Sequence, residues 1–321
     1  MAMDIRQLAA VTAVADHGTF SAAADALGTV QSNVSAHVAR LERELGAVLV
    51  DRSRGQLTEE GQVVVARARR VMAELEALVS DVAAVRNVVS GAVSLGMIGT
   101  TARWLAPVLL AESARRHPEV RITLAEAGSS VLEAELVDGR LDIAVTNLPV
   151  VDHDLAGERL FDEDLVLVLP PESPLASHGS IDLTELEGVP LLLPMRGTAF
   201  RDEIDDAVRP AGFSLTPRAE LDGVRLIASL TFDGHGPAVL PATAVPGFLR
   251  SQWASVPVRG LPRRQVGLAS RRRGLLPAPA RALRAIVVEA VQAELAAGRR
   301  PGIHPPGETV PPADPPPARG R

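Results

Sequence analysis

The sequence predicts an α/β protein with a helical N-terminal module, a long connecting helix and a two-lobed C-terminal half. Three observations carry that prediction. Residues 18–45 hold two short apolar-faced helices broken by Gly28. Residues 64–89 place apolar side chains at alternating steps of four and three. From residue 91 onward, short apolar strands alternate with helical stretches, the texture of parallel βαβ units.

In GTFSAAADALGTVQSNVSAHVARLEREL (18–45), Ala22, Ala23, Ala26 and Leu27 are small or apolar at helical spacing. Gly28 then ends the helix by taking a conformation that other residues resist. A second helix is expected from near Thr29, whose hydroxyl would cap it. Val34, Val38, Leu41 and Leu45 recur at steps of four, three and four and predict one buried stripe. The remaining face carries Gln31, Ser32, Ser35 and Arg40, with Asn33 and His37 on its flank. Short amides and hydroxyls at the front of an exposed helix suit base edges in a major groove. An ordinary polar surface helix is the plainer reading of the same residues.

From Thr58 to Asn87 there is no proline and a single glycine near the start, so a long helix is expected. Val64, Ala68, Val71, Leu75, Leu78, Val82, Val85 and Val89 form a heptad seam within and just past it. So narrow a seam favours a partner helix over the domain's own core. It predicts a two-fold dimer facing a pseudo-palindromic site.

Charge argues that one copy would bind nucleic acid weakly. The chain has 33 basic residues, all arginine, against 39 acidic ones, for a net charge of −6. Within residues 1–60, Arg6, Arg40, Arg43, Arg52 and Arg54 stand against Asp4, Asp16, Asp25, Asp51, Glu42, Glu44, Glu59 and Glu60. Affinity built mainly on phosphate neutralisation would need a basic module here. Several linked copies are therefore expected to act together.

The C-terminal half reads as two α/β lobes. Strands are expected at 92–99, 120–127 and 141–147, with helices at 102–116 and 130–138 between them. A second unit follows, with strands at 165–170, 189–194, 216–221 and 237–241 and helices at 199–210 and 223–232. The chain then returns through a strand at 264–270 and a helix at 278–297 that packs on the first unit. Strands crossing between the lobes would make a hinged cleft.

The N-terminal elements Phe20-Ser21-x-Ala23-Ala24, Leu27, Gln31-Ser32, Val34-Ser35, Leu41-Glu42, Leu45-Gly46 and Leu57-Thr58-x-x-Gly61 occur in order. Together they resemble the winged helix-turn-helix of LysR-type transcriptional regulators. Val30 stands where that family usually has a hydroxyl, and the wing between Arg52 and Leu57 is short. Further on, Leu105-x-Pro107, His117-Pro118-x-Val120, Gly128 with Leu132, Gly139-x-Leu141-Asp142-Ile143-Ala144 and Gly236-Pro237-x-Val239-Leu240-Pro241 are similar to the same family's effector-binding domain.

The resemblance implies a winged helix-turn-helix at 1–60, a linker coiled-coil helix at 61–90 and a two-lobed α/β effector-binding domain of periplasmic-binding-protein type at 91–297. Its lobe I would span 91–161 and 266–297, and lobe II 162–265. It also implies a DNA-binding regulator with Arg52 and Arg54 in the wing, double-stranded promoter DNA and RNA polymerase as partners, and a homodimer or homotetramer. A small effector between the lobes would modulate the grip on DNA.

Ligands in open α/β sheets collect at the carboxyl ends of strands. Thr100 and Thr101 follow the first strand and Ser129 and Ser130 the second, each before a helix. Hydroxyls and free N–H groups at such a start would suit a carboxylate. Gly197 and Thr198 precede a helix of the second lobe, and Asn147 ends the third strand. Ordinary capping explains each Ser or Thr taken singly. His235, flanked by glycines, fits a turn as well as a ligand contact.

No catalytic or metal-ligand pattern stands out: the seven histidines lack HExxH spacing, and no GxSxG, P-loop or GxGxxG is present. Asp222-Gly223 and Asp162-x-Asp164 read as solvated turn carboxylates. A regulator without cofactor or metal, not an enzyme, is expected. Apolar runs are interrupted before they could span a bilayer, and no signal peptide is read at the start. The absence of cysteine excludes disulfides and thiol redox sensing and is compatible with a cytoplasmic setting. A secreted solute-binding protein would share the cleft but would leave the first ninety residues unexplained. Residues 298–321, rich in proline and poor in apolar side chains, are expected to be disordered.

Overall fold

Asp4 opens the first helix, α1 (Ile5–His17), with a reciprocal cap. Its carboxylate accepts from Gln7 N at 3.0 Å, and the Gln7 side chain accepts from Asp4 N at 3.1 Å. In this computed structural model, which describes residues 3–249 and 251–308, α2 (Phe20–Ala26) follows under a Thr19 cap. Gly28, at φ 63°, makes the turn. The second helix, α3 (Gln31–Leu45), starts later than expected and without the Thr29 cap. Its N-cap is Val30, which has no hydroxyl to offer, and Thr29 Oγ1 instead accepts from Asn33 Nδ2 at 3.0 Å.

Val34, Val38 and Leu41 join Val11, Val14, Ala23, Leu49, Val65 and Ala68 in the core of this module. The expected burial of Leu45 is corrected, because it is exposed, as are Ala26 and Leu27. Each sits at a helix end, past the reach of the small core. β1 (Val50–Asp51) and β2 (Gln56–Leu57) pair antiparallel as a short wing.

Thr58 caps α4 (Glu59–Val85) by accepting from Gly61 N at 3.0 Å. Gly61 packs so tightly that a Cβ there would stand 2.0 Å from the Leu49 carbonyl oxygen. The helix ends before Val89, with Asn87 at φ 60°, so that last expected seam position lies outside it.

The chain divides into two units. The first holds residues 1–98, 105–158 and 268–288; the second holds 99–104, 159–267 and the chain from 289 onward. The first unit takes the N-terminal module and α4 together with most of the residues expected in lobe I, while 99–104 and the end of the last long helix fall in the second.

In the first unit, β3 (Gly91–Met97) pairs in parallel with β4 (Val120–Glu126) and β5 (Ile143–Leu148). The crossovers are α5 (Gly99–Arg116), which begins in the second unit, and α6 (Ser129–Val137). Leu95, Met97, Leu105, Leu109, Leu132, Leu136, Ile143 and Val145 are among its buried apolar side chains.

β6 (Leu155–Glu163), which carries no clear apolar alternation, runs from the first unit into the second. β7 (Leu165–Leu169), β8 (Ile181–Asp182), β9 (Pro190–Pro194), α7 (Ala199–Val208), β10 (Thr216–Leu221), α8 (Val224–Phe232), β11 (Ala238–Pro241) and β12 (Ala254–Arg259) build the second unit. There β7 lies antiparallel between β11 and β12, β12 runs parallel to β8, and β9 runs parallel to β10. Leu167, Leu169, Leu191, Leu193, Ile204 and Val256 lie in its core. β13 (Arg264–Arg271) leads back to the first unit, and α9 (Ala278–Ala297) follows.

Two expectations are corrected here. Asp162 is buried at the end of β6, not a solvated turn residue, and pairs with Arg159. Asp164 is largely covered and accepts from Arg263 at 2.7 Å. The tail is ordered over 298–308, where β14 (Ile303–His304) pairs with β6. Polar tethers rather than apolar burial hold it: His304 Nε2 meets Asp164 at 2.7 Å, Arg263 donates to Glu308 O at 2.8 Å, and Arg300 lies over the Trp104 ring at 4.8 Å. The rest of the expected disordered tail, 309–321, lies outside the described residues. Among the described residues, no helix is long and apolar enough to cross a membrane.

Candidate functional site

The N-terminal module presents one polar face. Gln31, Ser32, Asn33 and Arg40 are exposed on α3, while Ser35 and His37 are half-buried beside them. Gln31 Nε2 donates to Ser35 Oγ at 3.2 Å, one helical turn on, so the two form a single preset unit. Glu42 organises the flank. One oxygen accepts from Leu49 N at 2.9 Å and Val50 N at 3.3 Å, and the other faces Arg52 at 3.7 Å. Arg52 also lies over the Phe20 ring at 5.4 Å. Arg54 is freer in the wing, 3.8 Å from Asp51, whose carboxyl is held below its ordinary value by hydrogen bonds from Ser53.

Behind this face, α4 leaves its seam open in the single chain. Val71, Leu75, Leu78, Val82 and Val85 are between 41% and 85% exposed, whereas Ala68 is buried and Val64 partly so in the N-terminal core.

The expected effector residues divide between the units. Ser129, Ser130 and Asn147 belong to the first; Thr100, Thr101, Gly197, Thr198 and His235 belong to the second. In the first, Asn147 Nδ2 donates to Ser129 Oγ at 3.0 Å, which ties the end of β5 to the start of α6. Ser129 lies in the first turn and Gly128 is the N-cap, so neither serine serves as the cap. Asn147 Oδ1 and the neighbouring Thr146 Oγ1 are buried without a hydrogen-bond partner. Sequence reading overlooked Thr146, because its strand reads simply as apolar.

In the second unit, Thr100 and Thr101 lie in the first turn of α5 and are buried, and Thr101 Oγ1 has no partner. Thr198 does act as a cap: its hydroxyl accepts from Arg201 N at 3.4 Å and donates to Met195 O at 2.8 Å. Gly197, at φ 80°, turns the chain into it. His235 is exposed in the turn after α8, with its backbone N donating to Leu230 O.

A buried ionic cluster in the second unit also escaped sequence reading. Glu163 is fully buried; Oε1 accepts from Thr243 N at 2.7 Å and Oε2 has no hydrogen-bond partner. Arg264 lies 4.0 Å from Glu163, 3.6 Å from Glu203 of α7 and over the Phe200 ring at 5.0 Å. Burial pushes both carboxyl groups up, against the opposing pull of Arg264. The folded chain therefore keeps protons that the unfolded chain releases near pH 4.5. The contribution of this cluster to stability is full below that value and declines as pH rises toward the raised folded pKa. Glu163→Gln is expected to raise Tm at pH 7 and leave it nearly unchanged at pH 4.5; equal shifts at both pH values would contradict this origin.

A preset polar helix face, an open heptad seam and α/β units with unpartnered hydroxyls define a DNA-binding regulator with a ligand-responsive domain. Residues 5–62 match the bacterial regulatory helix-turn-helix protein, lysR family, and residues 86–292 match the LysR substrate binding domain. The chain belongs to the LysR family of transcriptional regulators and is a DNA-binding regulator, not an enzyme.

A probable hydrogen peroxide-inducible genes activator of Mycobacterium leprae is 33% identical over 299 residues, covering 90% of this chain and 95% of that one. A full-length OxyR of Pseudomonas aeruginosa, solved as a cysteine-to-aspartate variant, superimposes with a TM-score of 0.76 at 26% identity, covering 97% and 100% of the two chains. CbnR, solved in complex with its target DNA, shares the fold with a TM-score of 0.62 at 24% identity, covering 91% and 99%.

Proposed function

We propose that this regulator grips a two-fold promoter site as a homodimer or homotetramer and changes that grip when it binds a small carboxylate. In this reading Gln31, Ser32, Asn33, Ser35, His37 and Arg40 face the bases and backbone, with Arg52 and Arg54 in the wing. The seam Val64, Ala68, Val71, Leu75, Leu78, Val82 and Val85 joins the copies. Thr100, Thr101, Ser129, Ser130, Asn147, Gly197, Thr198 and His235 supply the effector contacts. The protein works in the cytoplasm, where bound DNA brings it to RNA polymerase.

The observation that carries the effector reading is that three of the buried polar atoms without partners, Thr146 Oγ1 and Asn147 Oδ1 in the first unit and Thr101 Oγ1 in the second, stand at a strand end and a helix start. Buried hydroxyls and amides left unpaired are costly, and a ligand that pairs with them recovers that cost. The absence of cysteine separates this chain from its peroxide-named relatives: with no thiol to oxidise, it cannot sense peroxide by thiol chemistry.

Mapping bound DNA genome-wide, followed by thermal-shift measurements with mono- and dicarboxylates drawn from the pathways at the bound loci, tests the reading. A carboxylate at a hundred times its Kd is expected to stabilise the protein by about 2.7 kcal/mol. Thr100→Ala with Ser129→Ala is expected to remove most of that shift, and peroxide is expected to leave DNA binding unchanged. A double variant that responds as wild type removes those hydroxyls from the site. A peroxide-dependent footprint would reject the effector reading as a whole.

A further inference from the structure

The linker helix α4 carries a second stripe. Arg70, Glu74, Ala77 and Asp81 step by four, three and four, about a quarter-turn round the helix from the seam. This stripe faces the effector domain within the first unit. Arg70 Nε and NH2 donate to Val137 O, the last residue of α6, at 3.1 and 2.5 Å. The turn beyond is pressed onto the same side chain: a Cβ at Gly139, which has φ 75°, would stand 3.5 Å from Arg70 Cγ. Three turns along α4, Asp81 Oδ1 accepts from Ala278 N at the start of α9 at 3.0 Å and from Arg281 at 3.1 Å. A cation thus meets the negative end of one helix and an anion the positive end of another, each the favourable sign.

The neighbouring Arg69 pairs with Asp16 in the last turns of α1. Adjacent arginines on one helix therefore hold the DNA-reading module and the effector domain. The opposite end of α6 carries Ser129, bonded to Asn147. Arg271 steadies the C-terminal end of α6 further by donating to Leu136 O at 3.0 Å and Leu141 O at 2.8 Å.

We propose that Arg70 and Asp81 form a latch through which the effector domain holds the linker helix, with α6 as the rod that carries a change at Ser129 to Arg70 and α4. The transmission half rests on the reading of Ser129 and Asn147 as effector contacts; the latch itself rests on the contacts above. A nine-residue helix moves as a unit, so a shift of its first turn displaces the carbonyl that Arg70 grips.

The test uses full-length protein, duplexes that the wild type selects from a random DNA pool, and hydrogen exchange. Arg70→Ala is expected to keep the oligomer mass, raise exchange about tenfold at amides 137–141, and weaken binding to the selected duplex about fivefold. Asp81→Asn is expected to do the same with exchange rising at 278–281, and Arg70→Lys to restore most of the binding. Ser129→Ala is expected to change duplex affinity in the wild-type background and not in Arg70→Ala, as a double-mutant cycle requires.

Unchanged exchange in both Arg70→Ala and Asp81→Asn overturns the latch. Raised exchange with duplex affinity within twofold of wild type reduces the contacts to scaffolding and overturns the proposal. No effect of Ser129→Ala in the wild type overturns the transmission. If Arg70→Ala does not fold, Arg70→Lys and Asp81→Asn carry the decision. If the wild type selects no duplex, the promoter-binding reading fails instead, and exchange alone decides the latch.

Discussion

Leu75→Glu together with Val82→Glu is expected to convert the regulator into monomers at micromolar concentration, seen as a fall in mass by sedimentation or native mass spectrometry. Both side chains lie on the open stripe of α4, at 41% and 55% exposure, alongside the exposed Val71, Leu78 and Val85. A continuous apolar stripe of this kind marks an interface. Burying a Leu or Val side chain is worth about 1.5–3 kcal/mol. A two-fold axis doubles every loss, so four apolar contacts vanish and four carboxylates must be desolvated or the interface opened. Because each side chain is about half exposed in the single chain, about 3–6 kcal/mol of apolar burial is at stake before the cost of the carboxylates, which is about two to four decades in Kd. DNA affinity is expected to fall with it, because in the proposed reading the acidic N-terminal module relies on a second copy. An unchanged mass would mean that the stripe is covered some other way.

Gln31→Ala with Ser35→Ala carries the next largest effect. The two side chains already bond to each other at 3.2 Å, so their donors and acceptors are oriented before DNA arrives. Specific pairing with a base edge contributes about 1–3 kcal/mol of discrimination per good contact. The double variant is expected to lose about one hundredfold in preference for its promoter over random duplex, while its non-specific binding and its mass stay as they were. Footprinting at fixed salt reads the preference directly. A protected region identical to wild type would remove α3 as the reading helix.

Much of this fold could be read from residue order. Gly28 marked the turn because its positive φ suits few other residues, and the apolar stripe that α4 leaves exposed was legible through spacing alone. The βαβ elements of the first unit and the β7, β9 and β11 stretches were legible as short apolar runs. β6 was not: LAGERLFDE has neither alternation nor a continuous apolar run, and its buried Asp162 and Glu163 look like turn residues until Arg159 and Arg264 are placed beside them. The ordered tail segment was hidden for the same reason, since its tethers are polar contacts formed across long sequence separations. At the candidate effector positions, the kinds of side chain were foreseeable, but not which hydroxyls would be left unpaired. Thr198 became an ordinary cap, whereas Thr101 and the unsuspected Thr146 kept idle oxygens.

Gly61 has a mechanical consequence. With no side chain, it lets the first turn of α4 lie directly on the backbone at Leu49, where a single methyl would intrude to 2.0 Å. From that seating a helix of 27 residues projects roughly 40 Å. A tilt of about five degrees at its root would swing the far end by roughly 3.5 Å, close to the rise of one base pair. The missing methyl therefore acts as a lever's bearing: it sets the direction in which two α3 helices would be held apart, and with it the half-site spacing on DNA that a dimer could span.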